Sequence, residues 1–292
     1  MTTERLPPIP AGDAIRWAAR RFARAPLAYG HGTDNPHDEA AALVFHVASW
    51  PHSAAPDAYG WDLPLAARRE LRGLVRRRID ERIPVAYLTG VSWFAGHEIH
   101  VDPRVLVPRS PIAELIQTHF RPFIAPERVR RILDIGTGSG CIAIACAHAF
   151  PAAEVDAVDL SPEALEVARD NIRRHGLEGR VQPRLSDVYA ALQGARYDII
   201  VSNPPYVPQA VVDGLPPEYG HEPEFGLVSG ADGLDAVRRI LDGARRHIVP
   251  GGILVVEVGD TDEAVERAWP ELPFLWLDFE HGGGGVFLLT LE

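Results

Sequence analysis

The stretch RILDIGTGSG at residues 131–140, followed by the apolar run CIAIACA at residues 141–147, decides the fold of this chain. The residues before the first glycine are typical of a buried strand, and the apolar run after the last glycine is typical of a buried helix. The glycines between them let a ligand approach the backbone closely, and the first N–H groups of the helix lack partners within it. The sequence therefore predicts a strand, a ligand-binding turn and a helix.

Acids end the next two predicted strands. The run VDAVDL at residues 155–160 carries Asp159, which can accept hydrogen bonds from both hydroxyls of a ribose. The segment RLSDV at residues 184–188 carries Asp187 and Val188 at a third strand end, where Asp187 can meet an adenine amino group. Because open α/β sheets bind ligands at the carboxyl ends of their strands, one nucleoside cofactor across three strand ends is the simplest interpretation. The plainer alternative for both acids is a helix cap or a turn.

A fourth predicted strand, YDIIVS at residues 197–202, runs into the tetrapeptide Asn203-Pro204-Pro205-Tyr206. Two successive prolines fix φ twice and remove two donors, so the turn is rigid and its carbonyls are free to accept hydrogen bonds. Asn203 adds an amide that both donates and accepts, and Tyr206 adds a flat ring. Together these groups predict a holder for a planar group bearing an NH2, such as a glutamine amide or an adenine edge. A plain turn is the alternative, since prolines after a strand are often only a stop signal.

A dinucleotide site is the alternative for the glycine turn taken alone. Residues 138–143, GSGCIA, satisfy G-x-G-x-x-G/A, and Asp159 follows at about the ~20-residue spacing of a ribose-binding acid. Asp134, the asparagine turn and a closing hairpin predicted over residues 274–291 favour S-adenosylmethionine instead. The predicted cofactor-binding residues are Asp134, Gly136, Thr137, Gly138, Ser139, Gly140, Asp159, Asp187, Val188 and Asn203.

Helical spacing and breaks rich in proline and glycine organise the first part of the chain. Three helices are predicted, over residues 13–24, 37–50 and 65–82. We expect residues 1–83 to form a helical domain that helps to recognise the substrate, and residues 84–112 to form a β-hairpin linker. Alternating strands and helices over residues 113–292 predict an α/β domain. Within it, residues 207–235 form a long loop that we expect to cover the substrate.

The chain resembles the protein-(glutamine-N5) methyltransferases, which modify a glutamine side-chain amide in translation proteins. Besides the glycine turn and Asn203–Tyr206, the stretches PVAYLTG at 84–90 and VLVPRSP at 105–111 carry this resemblance, which spans about residues 84–292. Three further stretches, WFAGHE at 93–98, HEPEFGL at 221–227 and EHGGGGVF at 280–287, are similar to the branch that methylates large-subunit ribosomal protein L-three. The sister branch acts on peptide-chain release factors.

The resemblance implies a seven-stranded, Rossmann-like class I methyltransferase sheet, S-adenosylmethionine as cofactor and a glutamine N5 of protein L-three as acceptor. An amide nitrogen is a poor nucleophile because its lone pair is delocalised, so positioning must supply much of the acceleration. We expect the Asn203 oxygen and the Pro204 carbonyl each to accept one substrate N–H, while the Tyr206 ring packs on the amide plane. Asn203, Pro204 and Tyr206 are thus the predicted catalytic residues, and Pro205 completes the substrate-binding turn.

Three other functions remain open from the sequence. A release-factor methyltransferase shares these motifs, and only a substrate assay separates it from the first interpretation. A nucleic-acid adenine N6-methyltransferase also uses Asn-Pro-Pro-Tyr, but needs a basic cleft for a phosphate backbone. A cofactor-binding protein that acts structurally in ribosome assembly is the non-enzymatic alternative, although it would need no amide holder.

Charge and composition restrict the partners. The net charge is −11, yet residues 1–90 hold twelve Arg against ten Asp and Glu, so the acidic charge lies in the remainder. An acidic catalytic domain suits a basic ribosomal protein or an assembly intermediate better than nucleic acid. The arginines of residues 68–82 predict a basic helix face, either solvated or in contact with RNA. No apolar run spans a membrane and no signal peptide is evident, so a cytoplasmic location is expected. The histidine spacing predicts no metal site.

Overall fold

The computed structural model of the protein describes residues 9–290. Packing divides the chain into two compact units. The first unit contains the chain up to Val91 together with Pro216–His221, and the second contains Ser92–Leu215 and the chain from Glu222 onward. A short piece of the long loop after the Asn-Pro-Pro-Tyr turn therefore belongs to the first unit, although the sequence on both sides of it belongs to the second.

The first unit is helical, as the spacing of its apolar residues predicts. Its helices are α1 (Ala11–Phe22), α2 (Pro36–Ala48), α3 (Leu65–Asp80) and α4 (Val85–Thr89). The Asn35 side chain caps α2, since its oxygen accepts from the backbone N–H groups of His37 and Asp38 over 3.0 and 2.9 Å. The apolar faces meet in one core, to which Phe22 and Leu43 contribute fully buried side chains.

Arg78 lies inside the first unit with no exposed side-chain surface. Its guanidinium donates to the Glu39 carboxylate over 2.8 and 3.0 Å, to Glu218 over 3.0 Å and to the Ala28 carbonyl over 2.7 Å. The prediction that the arginines of residues 68–82 share one exposed face is therefore wrong for Arg78. The reason is long-range: a buried guanidinium is tolerated where carboxylates brought from elsewhere in the chain satisfy its charge and donors.

We expect Arg78→Ala to lower the free energy of unfolding by about 3–5 kcal/mol, because it leaves the buried Glu39 carboxylate without its cation and leaves Glu218 paired with Arg82 alone. Arg77→Ala is the matched control on the same helix. The Arg77 and Glu81 side chains are 46% and 53% exposed, and losing such an exposed pair costs about 0.5 kcal/mol or less. Urea unfolding followed by tryptophan fluorescence measures both variants. Equal losses would contradict a stabilising role for the buried cluster.

The second unit contains a small hairpin and an open seven-stranded sheet. The hairpin strands are β1 (Val91–Phe94), whose first residue belongs to the first unit, and β2 (His97–His100). The remaining elements are α5 (Ile112–Gln117), β3 (Arg131–Ile135), α6 (Cys141–Ala149), β4 (Glu154–Asp159), α7 (Pro162–Arg174), β5 (Val181–Leu185), β6 (Tyr197–Ser202), α8 (Gln209–Val212), α9 (Asp235–His247), β7 (Ile248–Glu257), α10 (Asp262–Ala268), β8 (Leu275–Trp276) and β9 (Val286–Thr290).

The strand order of the large sheet is β5-β4-β3-β6-β7-β9-β8. Strands β3 to β7 pair in parallel, whereas β9 runs antiparallel between β7 and β8. The predicted fold class is confirmed, namely an α/β protein with a seven-stranded Rossmann-like sheet, a helical unit and a hairpin. The antiparallel β9 differs from the order 3-2-1-4-5-6 of dinucleotide-binding sheets, so the topology disfavours a dehydrogenase. The last residue of the predicted closing hairpin, Leu291, lies outside the described residues.

The central strands are buried because helices cover both faces of the sheet. This explains why β3, β6 and β7 are almost continuously apolar rather than alternating. One core joins Leu133, Ile200 and Leu254 of the sheet to Val237 and Ile240 of α9. No helix within residues 9–290 combines the length and apolar character needed to cross a membrane.

Candidate active site

The chain changes direction across the sheet at β3, because β4 and β5 lie on one side of β3 and β6 lies on the other. Such a switch point leaves a crevice at the carboxyl ends of the two diverging strands. Ile135 is aligned with Ser202 there, and the Ser202 hydroxyl donates to the Ile135 carbonyl over 2.7 Å. A Cβ placed on Gly136 would lie 3.9 Å from the Asn203 carbonyl oxygen. The structure thus brings the glycine turn and the asparagine turn together.

The glycine turn follows β3 in a left-handed conformation at three positions, with φ of 72° at Gly136, 54° at Gly138 and 82° at Gly140. A Cβ on Gly140 would lie 3.4 Å from the Ala168 side chain, so this glycine allows α6 to pack closely on α7. A Cβ on Gly138 would meet no protein atom within 4 Å. Gly138 therefore presents open backbone at the crevice, as a turn that holds a ligand requires.

Asp134 lies beneath this turn and is completely buried. Its Oδ2 accepts from the Thr137 hydroxyl over 2.6 Å and from the Ala143 backbone N–H over 3.1 Å, which braces the turn against α6. Burial raises the pKa of Asp134 to about 7, and these two hydrogen bonds only partly oppose the rise. Within residues 9–290, Asp134 Oδ1 is buried without a hydrogen-bond partner. A buried carboxylate oxygen of this kind favours a bound donor or cation.

Asp159 ends β4 and holds two backbone segments through one carboxylate. Oδ2 accepts from the Gly138 N–H and Oδ1 accepts from the Ser161 N–H, each over 2.8 Å. Burial raises the pKa of Asp159, and these backbone donors oppose the rise. Ser161 caps α7 by accepting from the Ala164 N–H over 3.1 Å. Asp159 thus already shapes the turn beside Gly138, and its ribose-binding role remains a proposal.

Asp187 and Val188 follow β5 at the same edge of the sheet. The Asp187 carboxylate forms an ion pair with Arg239, and its side chain is 46% exposed. Val188 has a φ of 52°, a left-handed conformation that is unusual for a β-branched residue. Strained backbone of this kind concentrates at ligand sites. Contact of both residues with adenine therefore remains a prediction, and Asp187 is already paired with Arg239.

The Asn203–Tyr206 turn is supported by Glu257 and Gly259, for which the sequence predicted no role. The Tyr206 hydroxyl donates to Glu257 Oε1 over 3.3 Å, and the Ser110 hydroxyl donates to Glu257 Oε2 over 2.5 Å. A Cβ on Gly259 would come within 2.6 Å of the Tyr206 ring, so the ring packs directly on that backbone. Glu257 could have been noticed because it is an acid at the end of the apolar strand β7.

His221 and Glu222, which are adjacent in sequence and had no predicted role, are held by different groups. The Glu222 carboxylate accepts from both terminal nitrogens of Arg109 over 2.6 Å and from the Val107 N–H over 3.0 Å. His221 Nε2 donates to the Glu81 carbonyl over 2.8 Å. His221 and Glu222 thus lie on either side of the C-terminal end of the segment Pro216–His221, and each is held within its own unit.

The residues at this crevice suit S-adenosylmethionine, the cofactor that the sequence implies. Gly138 offers open backbone, Asp134 offers an unsatisfied carboxylate oxygen, and Asp159 and Asp187 lie at the ends of neighbouring strands. The backbone of Asn203 and Pro204 lies within about 4 Å of the Cβ position of Gly136, beside the glycine turn. A nucleoside with an ammonium group could be held by the glycine turn and the acids, and a planar amide by the asparagine turn.

The family model for the methyltransferase small domain matches residues 115–214, which include both turns. Sheet order, glycine turn and this match define a methyltransferase of the Rossmann-like α/β class. The hMettl16 catalytic domain in complex with MAT2A 3'UTR hairpin 6 has the same fold, with a TM-score of 0.53 at 15% identity over 77% of this chain and 82% of that chain.

Curated relatives are much closer in sequence. The ribosomal protein uL3 glutamine methyltransferase of Neisseria gonorrhoeae is 49% identical over 281 residues, covering 96% of this chain and 94% of that protein. The protein of the same name from Neisseria meningitidis serogroup B is 48% identical and covers 96% of this chain and 92% of that protein. The chain belongs to the ribosomal protein uL3 glutamine methyltransferase family, so the predicted family and branch are confirmed.

We expect Gly138→Ala to weaken binding of S-adenosylhomocysteine by roughly tenfold or more, equivalent to ~1.4 kcal/mol, because the added methyl projects into the crevice. Gly176→Ala is the matched control. Gly176 also has a left-handed φ, of 66°, with no protein atom within 4 Å of its Cβ position. Both alanines carry a similar backbone cost of about 1–2 kcal/mol. Calorimetric titration measures binding, and equal affinity of the two variants would contradict a cofactor turn at Gly138.

Glu257 should make stability depend on pH. Burial raises the pKa of Glu257 from 4.5 to about 7, despite hydrogen bonds from Ser110 and Tyr206. Because the folded-state pKa lies above the unfolded value, the stabilisation from this group is fully present below the unfolded pKa and is lost as pH rises through about 7.

Glu257→Gln cannot ionise, so relative to the parent it should gain up to about 3 kcal/mol of unfolding free energy between about pH 4 and pH 8. Urea unfolding across this range measures the difference. Asp134 titrates in both proteins and therefore does not contribute to it. Glu263→Gln is the control, because the Glu263 side chain is 82% exposed. Parallel pH curves for parent and Glu257→Gln would show that Glu257 is ionised in the folded state.

Proposed function

We propose that this chain transfers the methyl group of S-adenosylmethionine to the side-chain amide nitrogen, N5, of a glutamine in ribosomal protein uL3. The observation that carries the proposal is the adjacency of Gly136 and Asn203 at the switch point, where the Cβ position of Gly136 lies 3.9 Å from the Asn203 carbonyl oxygen. This adjacency supports a cofactor-binding turn beside a turn that holds the substrate amide. The names of the relatives supply the acceptor, and the acidic second part of the chain suits a basic ribosomal protein.

The proposed mechanism rests on orientation of the substrate amide. When bound, S-adenosylmethionine supplies an already activated methyl group, so a strong base is not required. The Asn203 oxygen and the Pro204 carbonyl each accept one N–H of the glutamine amide, which fixes the plane of that amide. The Tyr206 ring packs on the plane, and its own orientation is held by Glu257 and by the backbone of Gly259.

The ion pair between Arg109 and Glu222 holds one position in the loop of residues 207–235, which is the proposed substrate loop. Their bidentate pair is geometrically specific, because a guanidinium and a carboxylate form two parallel hydrogen bonds. The loop of residues 207–235 is proposed to cover the glutamine, and the pair fixes one point in it. The exposed arginines Arg69, Arg72 and Arg76 are the candidates for RNA contact if the substrate is a cytoplasmic ribosome assembly intermediate.

The proposal is tested with purified protein, methyl-labelled S-adenosylmethionine and three separate acceptors: unmethylated uL3, unmethylated release factor and unmethylated DNA. We expect label on uL3, located by mass spectrometry on a glutamine. Asn203→Ala should lower this turnover by about 10²-fold while the protein stays folded, because positioning of the amide is lost. Gln182→Ala, which removes an exposed amide on β5, is the matched control and should leave turnover unchanged.

Each other outcome corrects a defined part of the proposal. Label only on release factor would keep the mechanism and replace the substrate. Label only on DNA would overturn the assignment to a protein amide. Near-normal turnover by Asn203→Ala would show that Asn203 does not hold the substrate, and an absence of label on every acceptor would contradict the proposed enzymatic function.

A further inference from the structure

Three histidines from separate elements meet on the surface of the second unit. His97 begins β2, His148 lies in the last turn of α6, and His175 caps the C-terminus of α7. One nitrogen from each ring can be chosen so that all three lie within 4.8 Å of one another. His148 Nε2 lies 3.2 Å from His175 Nδ1, and the rings of His97 and His148 stack with centroids 4.4 Å apart. We call this group the histidine cluster.

The hydrogen bonds of His175 assign its tautomer. His175 Nε2 lies 2.8 Å from the backbone carbonyl oxygen of Glu98. Because a carbonyl only accepts, Nε2 must carry the hydrogen, and in the neutral ring Nδ1 then has a lone pair directed toward His148. A histidine whose far nitrogen donates to a backbone carbonyl is the usual outer-shell arrangement of a metal ligand. The contact between His148 and His175 thus places a hydrogen where a metal ion could lie.

We propose that the histidine cluster binds a divalent transition-metal ion of the Zn²⁺ type, with water as the fourth ligand. Tetrahedral zinc with nitrogen ligands at about 2.0–2.1 Å separates those nitrogens by about 3.3 Å. His148 and His175 already have this separation. The His97 ring, which is stacked on the His148 ring, must rotate out of the stack to direct a nitrogen toward the ion. Imidazole nitrogen suits Zn²⁺, Cu²⁺ and Ni²⁺, and disfavours Mg²⁺ and Ca²⁺. His148 is exposed, which leaves room for the water.

The surroundings of His97 and His148 disfavour the protonated imidazole. Burial lowers the pKa of His97, and the neighbouring imidazoles add to this effect. Burial also lowers the pKa of His148, with further contributions from His175 and Arg180. A neutral imidazole keeps one nitrogen lone pair available for a metal ion. Arg180 donates to the Ala147 carbonyl over 2.8 Å, and its positive charge weakens rather than prevents binding of a cation.

The position of the cluster indicates a structural role. α6 starts at the glycine turn, so its last turn, with His148, points away from the crevice. His175 ends α7 in the same way, after a helix that starts beside Asp159. A bound ion would connect β2 to the C-terminal ends of α6 and α7. These helix ends lie at the amino-terminal end of the parallel strands, opposite the proposed active site. The ion would stabilise the second unit and would take no part in methyl transfer.

The test uses the full chain without a histidine tag, stripped of metal by a chelator and titrated with Zn²⁺ in a calorimeter. We expect one ion per chain and a thermal midpoint that rises with Zn²⁺ concentration. His148→Ala and His175→Ala should each weaken binding by on the order of 10–100-fold or more. His37→Ala is the matched control, because its side chain is 52% exposed and lies outside the cluster. Co²⁺ bound by the parent should show the visible absorption of a tetrahedral site.

The two cysteines do not compete for the ion, because burial raises the pKa of Cys141 to about 12 and that of Cys146 well above its ordinary value. The proposal is overturned if the stripped parent binds no Zn²⁺. It is also overturned if the triple variant His97→Ala, His148→Ala, His175→Ala binds as tightly as the parent. Mg²⁺ should produce no heat of binding and no thermal shift, and equal binding of Mg²⁺ would also contradict a nitrogen-ligand site.

Discussion

The parallel pairing of β3 with β6 is the constraint on which the proposed active site depends. Ile135 and Ser202 are aligned, and the buried Ser202 hydroxyl bonds to the Ile135 carbonyl. Gly136 and Asn203 are the next residues of these strands, so the two turns start side by side. A slip of one residue would move every side chain of β6 to the other face of the sheet and separate the turns. The strand register therefore determines whether cofactor and substrate sites coincide.

Buried carboxylates surround this crevice, and burial raises the pKa of Asp134, Asp159 and Glu257. Each acid also holds a part of the site in place: Asp134 braces the glycine turn, Asp159 links that turn to α7, and Glu257 orients Tyr206. Charged groups are costly to bury unless they are bonded. Burying three acids here lowers stability locally and produces a polar, preorganised crevice, a combination that is common where binding or catalysis takes place.

Much of the fold follows from local signals in the sequence. The strand over residues 197–202 has the predicted bounds, because a short apolar run ended by two prolines leaves little choice. The glycine turn and the capped start of α7 are local signals as well. The buried position of Arg78 could not be predicted, since Glu218 lies 140 residues away in sequence. The histidine cluster could not be predicted for the same reason, because its three residues come from distant segments. Glu257 left a local signal, as an acid at the end of an apolar strand, but its contacts with Ser110 and Tyr206 are long-range.

The central claim is that the crevice holds a substrate amide between the glycine turn and the asparagine turn. The most direct test is a crystal structure of the protein with S-adenosylhomocysteine and a glutamine-containing peptide of uL3. The account predicts the glutamine amide nitrogen within about 3.2 Å of both the Asn203 side-chain oxygen and the Pro204 carbonyl oxygen, with the cofactor against Gly138. A glutamine bound elsewhere, or an amide that contacts neither oxygen, would contradict it.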